Sequence, residues 1–342
     1  MPAPSTPPSG RWLRTWSAVK KWVDPLVMMI IAVFLLGLFA PATGALATGV
    51  DRVSTVAVIL LFFLYGARMS TGEVWAGLRN WRLQGGMLAA TYLVFPVLGL
   101  AVQFLPESVL PSELQTGLLY LSLLPSTIQS SVVFTSIARG NVAGAICGAT
   151  VSNVLGIVLT PLLVGLIMSR AGGPMGGSAG ATLLQLLLPF VLGQLVQPKI
   201  GHWIRSHKIV TLITDRGTIL LVAYSSVSEA ETSGVWDGLT VGVLIVLLVV
   251  CAVLLAVMLA LTWTGGRWLG LNRPDRIALL MCGSKKSLAT GLPMASVLFG
   301  PVAAAGVALP VIVFHQLQLA TCAVIARRLA TTEPEPVPLA RS

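Results

Sequence analysis

The sequence predicts an all-α polytopic membrane protein: ten transmembrane helices in an inverted five-plus-five repeat, with the fourth and ninth helices broken. Three observations predict it. Ten apolar stretches have membrane-crossing length, lysine and arginine fall almost entirely on one side, and polar interruptions occupy corresponding places in the two halves.

Hydrophobic residues make up 55% of the chain and charged residues 10%, where a soluble domain carries about a quarter charged. So few charges cannot cover a water-facing surface, so most of the surface must face lipid. Measured against the ~20 residues needed to cross the hydrocarbon, the candidate spans are 25–41, 52–68, 82–104, 114–138, 142–168, 181–198, 209–228, 238–264, 274–298 and 302–326. The expected organisation is a basic, interfacial N-terminal segment (1–24), a first five-helix repeat (25–170), a linker (171–180), a second repeat (181–328) and a tail (329–342). Arg11 to Asp24, with Trp12, Trp16 and Trp22, suits an interfacial helix. The proline-rich residues 1–10 and 333–338 suit disorder. A cleaved signal peptide is disfavoured because 24 residues rich in proline and tryptophan precede the first apolar run.

Placing the N-terminus in the cytoplasm and alternating sides puts eighteen lysines and arginines inside and only Arg52 and Arg170 outside, with Lys285 and Lys286 left within a span. This asymmetry sets the orientation, with both termini cytoplasmic in the inner membrane. It also explains the net charge of +10 without nucleic acid, since the basic residues are spread over every inner loop. Cys147, Cys251, Cys282 and Cys322 are far apart in apolar runs and read as membrane-core residues. His202, His207 and His315 form no metal pattern, so no metal centre is assigned.

Two halves of five spans insert with opposite orientation, the setting for an inverted repeat. Gly140-Asn-Val-Ala-Gly-Ala145 is echoed by Gly300-Pro-Val-Ala-Ala-Ala305. At that offset, Pro125-Ser-Thr-Ile-Gln-Ser-Ser131 of span four lies over Lys285-Lys-Ser-Leu-Ala-Thr-Gly291 of span nine. Both stretches begin roughly 16 Å into their spans, near the midplane. Pro125 breaks one helix, and Gly283, Gly291 and Pro293 weaken the other. Paired interruptions of this kind point to a transport site.

The candidate site residues are Gln129, Ser130, Ser131 and Thr135 of span four, Ser152 and Asn153 of span five, and Ser284, Lys285, Lys286, Ser287 and Thr290 of span nine. Singly, the hydroxyls bond back to carbonyls or join helices; as a cluster they suit a desolvated cation or an oxyanion. An ammonium at mid-bilayer costs at least about 2.5–3.5 kcal/mol, and the lysines lie too deep to snorkel. A lysine here could bind an anionic substrate, couple transport to protons, or occupy the place of a metal cation. No enzyme is expected: the sequence has no H-E-x-x-H, no paired intramembrane aspartates and no Gly-x-Ser-x-Gly.

Phe63-Leu-Tyr-Gly-Ala-Arg-Met-Ser70, Leu124-Pro-Ser-Thr-Ile-Gln-Ser-Ser131, Ala138-Arg-Gly-Asn141 and Cys282-Gly-Ser-Lys-Lys-Ser-Leu-Ala-Thr-Gly-Leu-Pro-Met-Ala295 resemble the bile acid:sodium symporter superfamily, in particular its SBF-like bacterial branch. The resemblance covers about residues 20–330. It implies a panel domain of spans 1, 2, 6 and 7, a core domain of spans 3–5 and 8–10, crossing of spans four and nine, and alternating access for organic anions with sodium. Ser130, Ser131, Ser152 and Asn153 match two groups of the sodium ligands and are the candidate residual sodium site. The family's acidic ligand falls on Met281 or Cys282, and its glutamine on Lys285 or Lys286. The expected function is therefore secondary active transport of a small organic anion, with Lys285 and Lys286 replacing part of the sodium site. The alternatives are an ordinary sodium-coupled symporter and a membrane regulator or scaffold on the same fold. The expected coupling ion is Na+, H+ or none, no organic cofactor is expected, the partners are the anion and the lipid bilayer, and the oligomeric state is not set by the sequence.

Overall fold

The computed structural model describes residues 25–68, 80–168, 179–234 and 240–331. The interfacial segment (1–24), residues 171–178 of the linker and residues 332–342 of the tail lie outside the described residues. Every regular element among the described residues is helical: α1 (Pro25–Phe39), α2 (Gly44–Arg68), α3 (Trp81–Val102), α4 (Ser112–Leu123), α5 (Gln129–Ile137), α6 (Val142–Met168), α7 (Ala179–Ser206), α8 (Lys208–Ser233), α9 (Val241–Trp268), α10 (Arg273–Gly283) and α11 (Leu288–Thr331).

Span four is two helices, α4 and α5, separated by residues 124–128, and span nine is likewise interrupted between α10 and α11. Spans nine and ten differ from expectation, because 288–331 is helical without a gap. It is not one rod. The backbone N–H of Lys286 donates to Gln318 Oε1 at 2.8 Å across 32 residues, which a straight helix would separate by ~48 Å. The chain therefore doubles back. Phe299 packs edge-on against Tyr120 of α4, with ring centroids 5.1 Å apart. Phe314 packs against Phe95 of α3 at 5.8 Å, so the first arm of α11 meets α4 and the second meets α3.

By length and composition, six helices among the described residues can cross a membrane: α2, α3, α6, α8, α9 and the second arm of α11 (Ala303–Thr331). The shorter α1 is also apolar. Residues such as Leu36, Leu60, Leu195 and Val249 are exposed, as an outer surface solvated by lipid requires. α2 packs most extensively on α7, and α8 packs on α1, α2 and α11. α10 lies against α3, α5, α6 and α9, so the interruption after it is enclosed by protein.

Two local features shape this enclosure. In α3, Phe95 N–H bonds to Ala90 O instead of Thr91 O, in a π-turn over Ala90–Val94. Pro96 follows and brings no N–H of its own, and the Thr91 carbonyl is left free of the helix ladder. α5 ends at a tight turn in which Arg139 takes φ 58° and Gly140 N–H returns to Thr135 O at 2.8 Å. Asn141 then caps α6 through Gly144 N–H at 2.8 Å.

Candidate functional site: the meeting of two helix breaks

Pro125 cannot donate a backbone hydrogen bond and disfavours helix in the residue before it, so α4 stops at Leu123 and leaves a row of carbonyls. A broken backbone in a membrane must find partners inside the protein, and each of these carbonyls has one. Leu121 O accepts from Leu124 N–H at 3.2 Å. Ser122 O and Leu124 O each accept from Lys286 Nζ at 2.7 Å. Leu123 O accepts from Thr160 Oγ1 at 2.8 Å, Pro125 O from Ser287 N–H at 2.9 Å and Ser126 O from Asn153 Nδ2 at 2.6 Å. The other break is stitched to the first by Ser126 Oγ donating to Cys282 O at 2.6 Å and Thr127 Oγ1 donating to Lys286 O at 2.8 Å.

Lys286 is the centre of this arrangement. Its Nζ also donates to the freed Thr91 O at 2.8 Å, giving three carbonyl acceptors in all. Three acceptors match the three N–H donors that an ammonium offers. It lies 4.3 Å from the Phe95 ring centroid and is 1% exposed. Among the described residues no carboxylate pairs with it; the negative end of the α4 dipole and the π-turn carbonyl face it instead.

Gln318, from the second arm of α11, completes the break. Its Oε1 accepts from Lys286 N–H and its Nε2 donates to Lys286 O, both at 2.8 Å. This pairing fixes the amide orientation, so the second N–H donates to His315 Nδ1 at 2.8 Å. Ser284 closes α10 by donating to Leu280 O at 2.6 Å, and Ser287 opens α11 by accepting from Thr290 N–H at 3.3 Å.

Lys285 is placed differently. It is 0% exposed, yet its Nζ makes one long hydrogen bond, to Ser130 Oγ at 3.5 Å, and lies 4.1 Å from the Phe134 ring centroid. Elsewhere on the two helices that follow the breaks, Ser131 Oγ and Thr135 Oγ1 of α5 and Thr290 Oγ1 of α11 are buried without hydrogen-bond partners.

The expected site residues thus divide. Lys286, Ser284 and Ser287 hold the break itself, and Lys285 with Ser130 forms a looser contact beside it. Ser152 and Asn153 serve the Ser126 backbone: Ser152 Oγ accepts from Ser126 N–H at 3.1 Å, and Asn153 Nδ2 donates to Ser126 O and, at 2.8 Å, to Ala149 O. Of the four residues of the candidate residual sodium site, Ser130 therefore meets Lys285, Ser152 and Asn153 both serve Ser126, and Ser131 Oγ has no hydrogen-bond partner. Gln129, first in α5, is exposed and makes no side-chain bond to the crossing. Sequence reasoning missed Thr91, Thr160 and Gln318. Pro96 and the polar run His315-Gln-Leu-Gln318 in an apolar span were the available signals.

A cavity of about 100 Å³ lies between α2, α7, α8 and the first arm of α11. Neither lysine lines it. Among the described residues, no group of three or more His, Cys, Asp or Glu could hold a metal ion.

Comparison with known proteins fits this architecture. The chain is 45% identical over 309 residues to "Putative symporter YfeH" of Escherichia coli K12, covering 90% of this chain and 92% of that protein. It is 44% identical over 309 residues to "Uncharacterized protein PA2026" of Pseudomonas aeruginosa, covering 90% and 93%. It is 26% identical over 272 residues to "Sodium/bile acid cotransporter 7" of Rattus norvegicus, covering 78% and 80%. The Escherichia coli and rat relatives and the family itself are transporters, not enzymes, and agree with a multi-pass membrane protein of the bile acid:sodium symporter superfamily. Since residues 24–331 match its profile, the chain belongs to the SBF-like CPA transporter family.

Proposed function

We propose that the chain is a secondary active transporter of a small organic anion, working by alternating access in the cytoplasmic membrane, with the Lys286 ammonium standing where a coupling sodium ion would otherwise sit. The carrying observation is the set of three bonds from Lys286 Nζ to the carbonyls of Thr91, Ser122 and Leu124, at 2.7–2.8 Å. In transporters with discontinuous helices, unwound carbonyls and half-helix C-terminal ends coordinate the coupling cation, and here a tethered cation takes such oxygens. The rat relative's name pairs sodium with bile acid, which supports an anionic solute without supplying its identity. The two interrupted spans and the folding back of α11 support ten passages in an inverted five-plus-five repeat, and the lysine and arginine asymmetry supports cytoplasmic termini.

The division between the lysines gives each a role. Lys286 is a fixed charge that keeps the two breaks together. Lys285, with donors to spare beside Ser130, is the residue available to an anion. Two measurements test this. Proteoliposomes should show saturable uptake of an organic anion, which Lys285→Met abolishes. Purified Lys286→Ala should lose thermal stability and regain part of it with NaCl or ammonium chloride, by more than those salts stabilise the unaltered chain, but not with choline chloride. No uptake across a broad anion panel sinks the transport reading, and an absence of cation rescue sinks the substitution reading.

A further inference from the structure

The cavity between α2, α7, α8 and the first arm of α11 is lined mostly by oxygen-bearing side chains. Asp51, Ser54 and Thr55 of α2, Ser225 and Ser226 of α8 and Ser296 of α11 line it, and Gln185 and two valines complete the wall. Asp51, Ser54 and Thr55 share one helix face by their i, i+3, i+4 spacing. Thr55 Oγ1 is turned back to the Asp51 carbonyl at 3.0 Å, and Ser296 Oγ donates to Pro293 O at 2.9 Å. Ser54 is different: it is 5% exposed and its Oγ has no hydrogen-bond partner. A buried hydroxyl is rarely left so. The cavity has one ionisable side chain, the Asp51 carboxylate, and no lysine, arginine or histidine in its wall.

We propose that this cavity is a binding site for a small monovalent cation, a hydrated alkali-metal ion or a protonated amine, held by the Asp51 carboxylate and the hydroxyls of Ser54 and Ser226. Hard oxygen ligands and a single negative charge suit such an ion, and about 100 Å³ accommodates it with part of its water shell. The consequence for transport rests on the functional reading above. An anion entering beside Asp51 meets a like charge, and a cation bound first removes that repulsion. Cation binding here then supplies the coupling that the crossing, filled by Lys286, does not.

The test is thermal stability of the purified full chain in nanodiscs, without organic anion, titrated with NaCl, KCl, methylammonium chloride or choline chloride at constant total chloride. The expected result is saturable stabilisation by at least one small cation and not by choline; the sodium, potassium and methylammonium arms identify which source the site prefers. Asp51→Asn should raise the half-saturating concentration at least tenfold, and Ser54→Ala and Ser226→Ala two- to fivefold. Arg52→Gln, next in sequence but outside the wall, should leave it unchanged. The proposal is overturned if no small cation gives a saturable response, if choline matches them, or if none of the three wall variants shifts the titration. Anion flux is measured separately, so a chain that binds the cation but carries no anion would sink the transport reading alone.

Discussion

The Lys286 ammonium lies 2.7 Å from the carbonyl oxygen of Leu124, the residue before the proline that breaks span four, so each interruption is compensated by the other. Replacing Lys286 with alanine strands three carbonyls in an enclosed site. Unsatisfied buried polar groups cost about 1–3 kcal/mol each and do not add fully. We expect Lys286→Ala to lose about 3–5 kcal/mol, the scale of breaking a buried charge's interactions, read as a large fall in melting temperature. Lys286→Met should fall comparably, because restoring volume without donors leaves the carbonyls unpaired.

Lys285→Met should behave oppositely in stability. Its single 3.5 Å contact with Ser130 offsets little of the cost of burying an amine, and methionine keeps the packing against Phe134. The expected change is within about 1 kcal/mol, alongside loss of anion uptake. A collapse in melting temperature equal to that of Lys286→Ala would show that the two lysines are not divided as described.

The unequal roles of the two lysines also show where sequence stops being informative. Pro125 announced the first break and the buried charges announced the second, because a proline and an ammonium inside a span have few structural solutions. Which lysine bonds to what was not legible. Side-chain directions in an unwound segment do not follow the 100° helical step, and the acceptors come from elements 162 to 195 residues away. Thr91 acquires its role only because the π-turn frees its carbonyl, and Gln318 because α11 folds back. Both depend on tertiary contacts that no local pattern encodes.

Gln318 bridges the N–H and C=O of Lys286 with one planar amide. Gln318→Leu removes both partners from a buried backbone and should cost about 2–3 kcal/mol. Gln318→Glu tests the geometry more finely. It keeps the acceptor for Lys286 N–H but loses the donors to Lys286 O and to His315, while placing a carboxylate in an enclosed site. Its melting temperature should be no higher than that of Gln318→Leu; stability equal to wild type would mean that the amide pairing does not hold the break.

Asp275 joins the starts of three helices. Its carboxylate accepts from Asn80 Nδ2 at 2.9 Å and Asn141 Nδ2 at 2.6 Å, while its own N–H is capped by Asn272 Oδ1 at 2.9 Å. Asn80 and Asn141 in turn cap α3 and α6. Asp275→Ala should cost about 2 kcal/mol, combining lost charged hydrogen bonds with weakened capping. Hydrogen exchange gives the distinctive signature: protection should fall together at the first turns of α3, α6 and α10. Loss confined to α10 would show that the caps are independent.

The contact between α2 and α7 depends on two glycines used reciprocally. A Cβ on Gly66 would collide with the carbonyl oxygen of Phe190, and one on Gly193 with the carbonyl oxygen of Phe63. In both cases the obstacle is backbone, which cannot rotate away. Gln194 Nε2 also donates to Gly66 O at 2.6 Å, a bond that exists only while the helices touch. Small residues at a membrane helix interface allow this approach where lipid offers no hydrophobic drive to association. Gly66→Ala or Gly193→Ala alone should cost about 1–3 kcal/mol, the range for overpacking. Either one already forces the helices apart, so the double variant should cost clearly less than the sum of the two. Strict additivity in melting experiments would mean that each clash is relieved locally and that the helices stay in place.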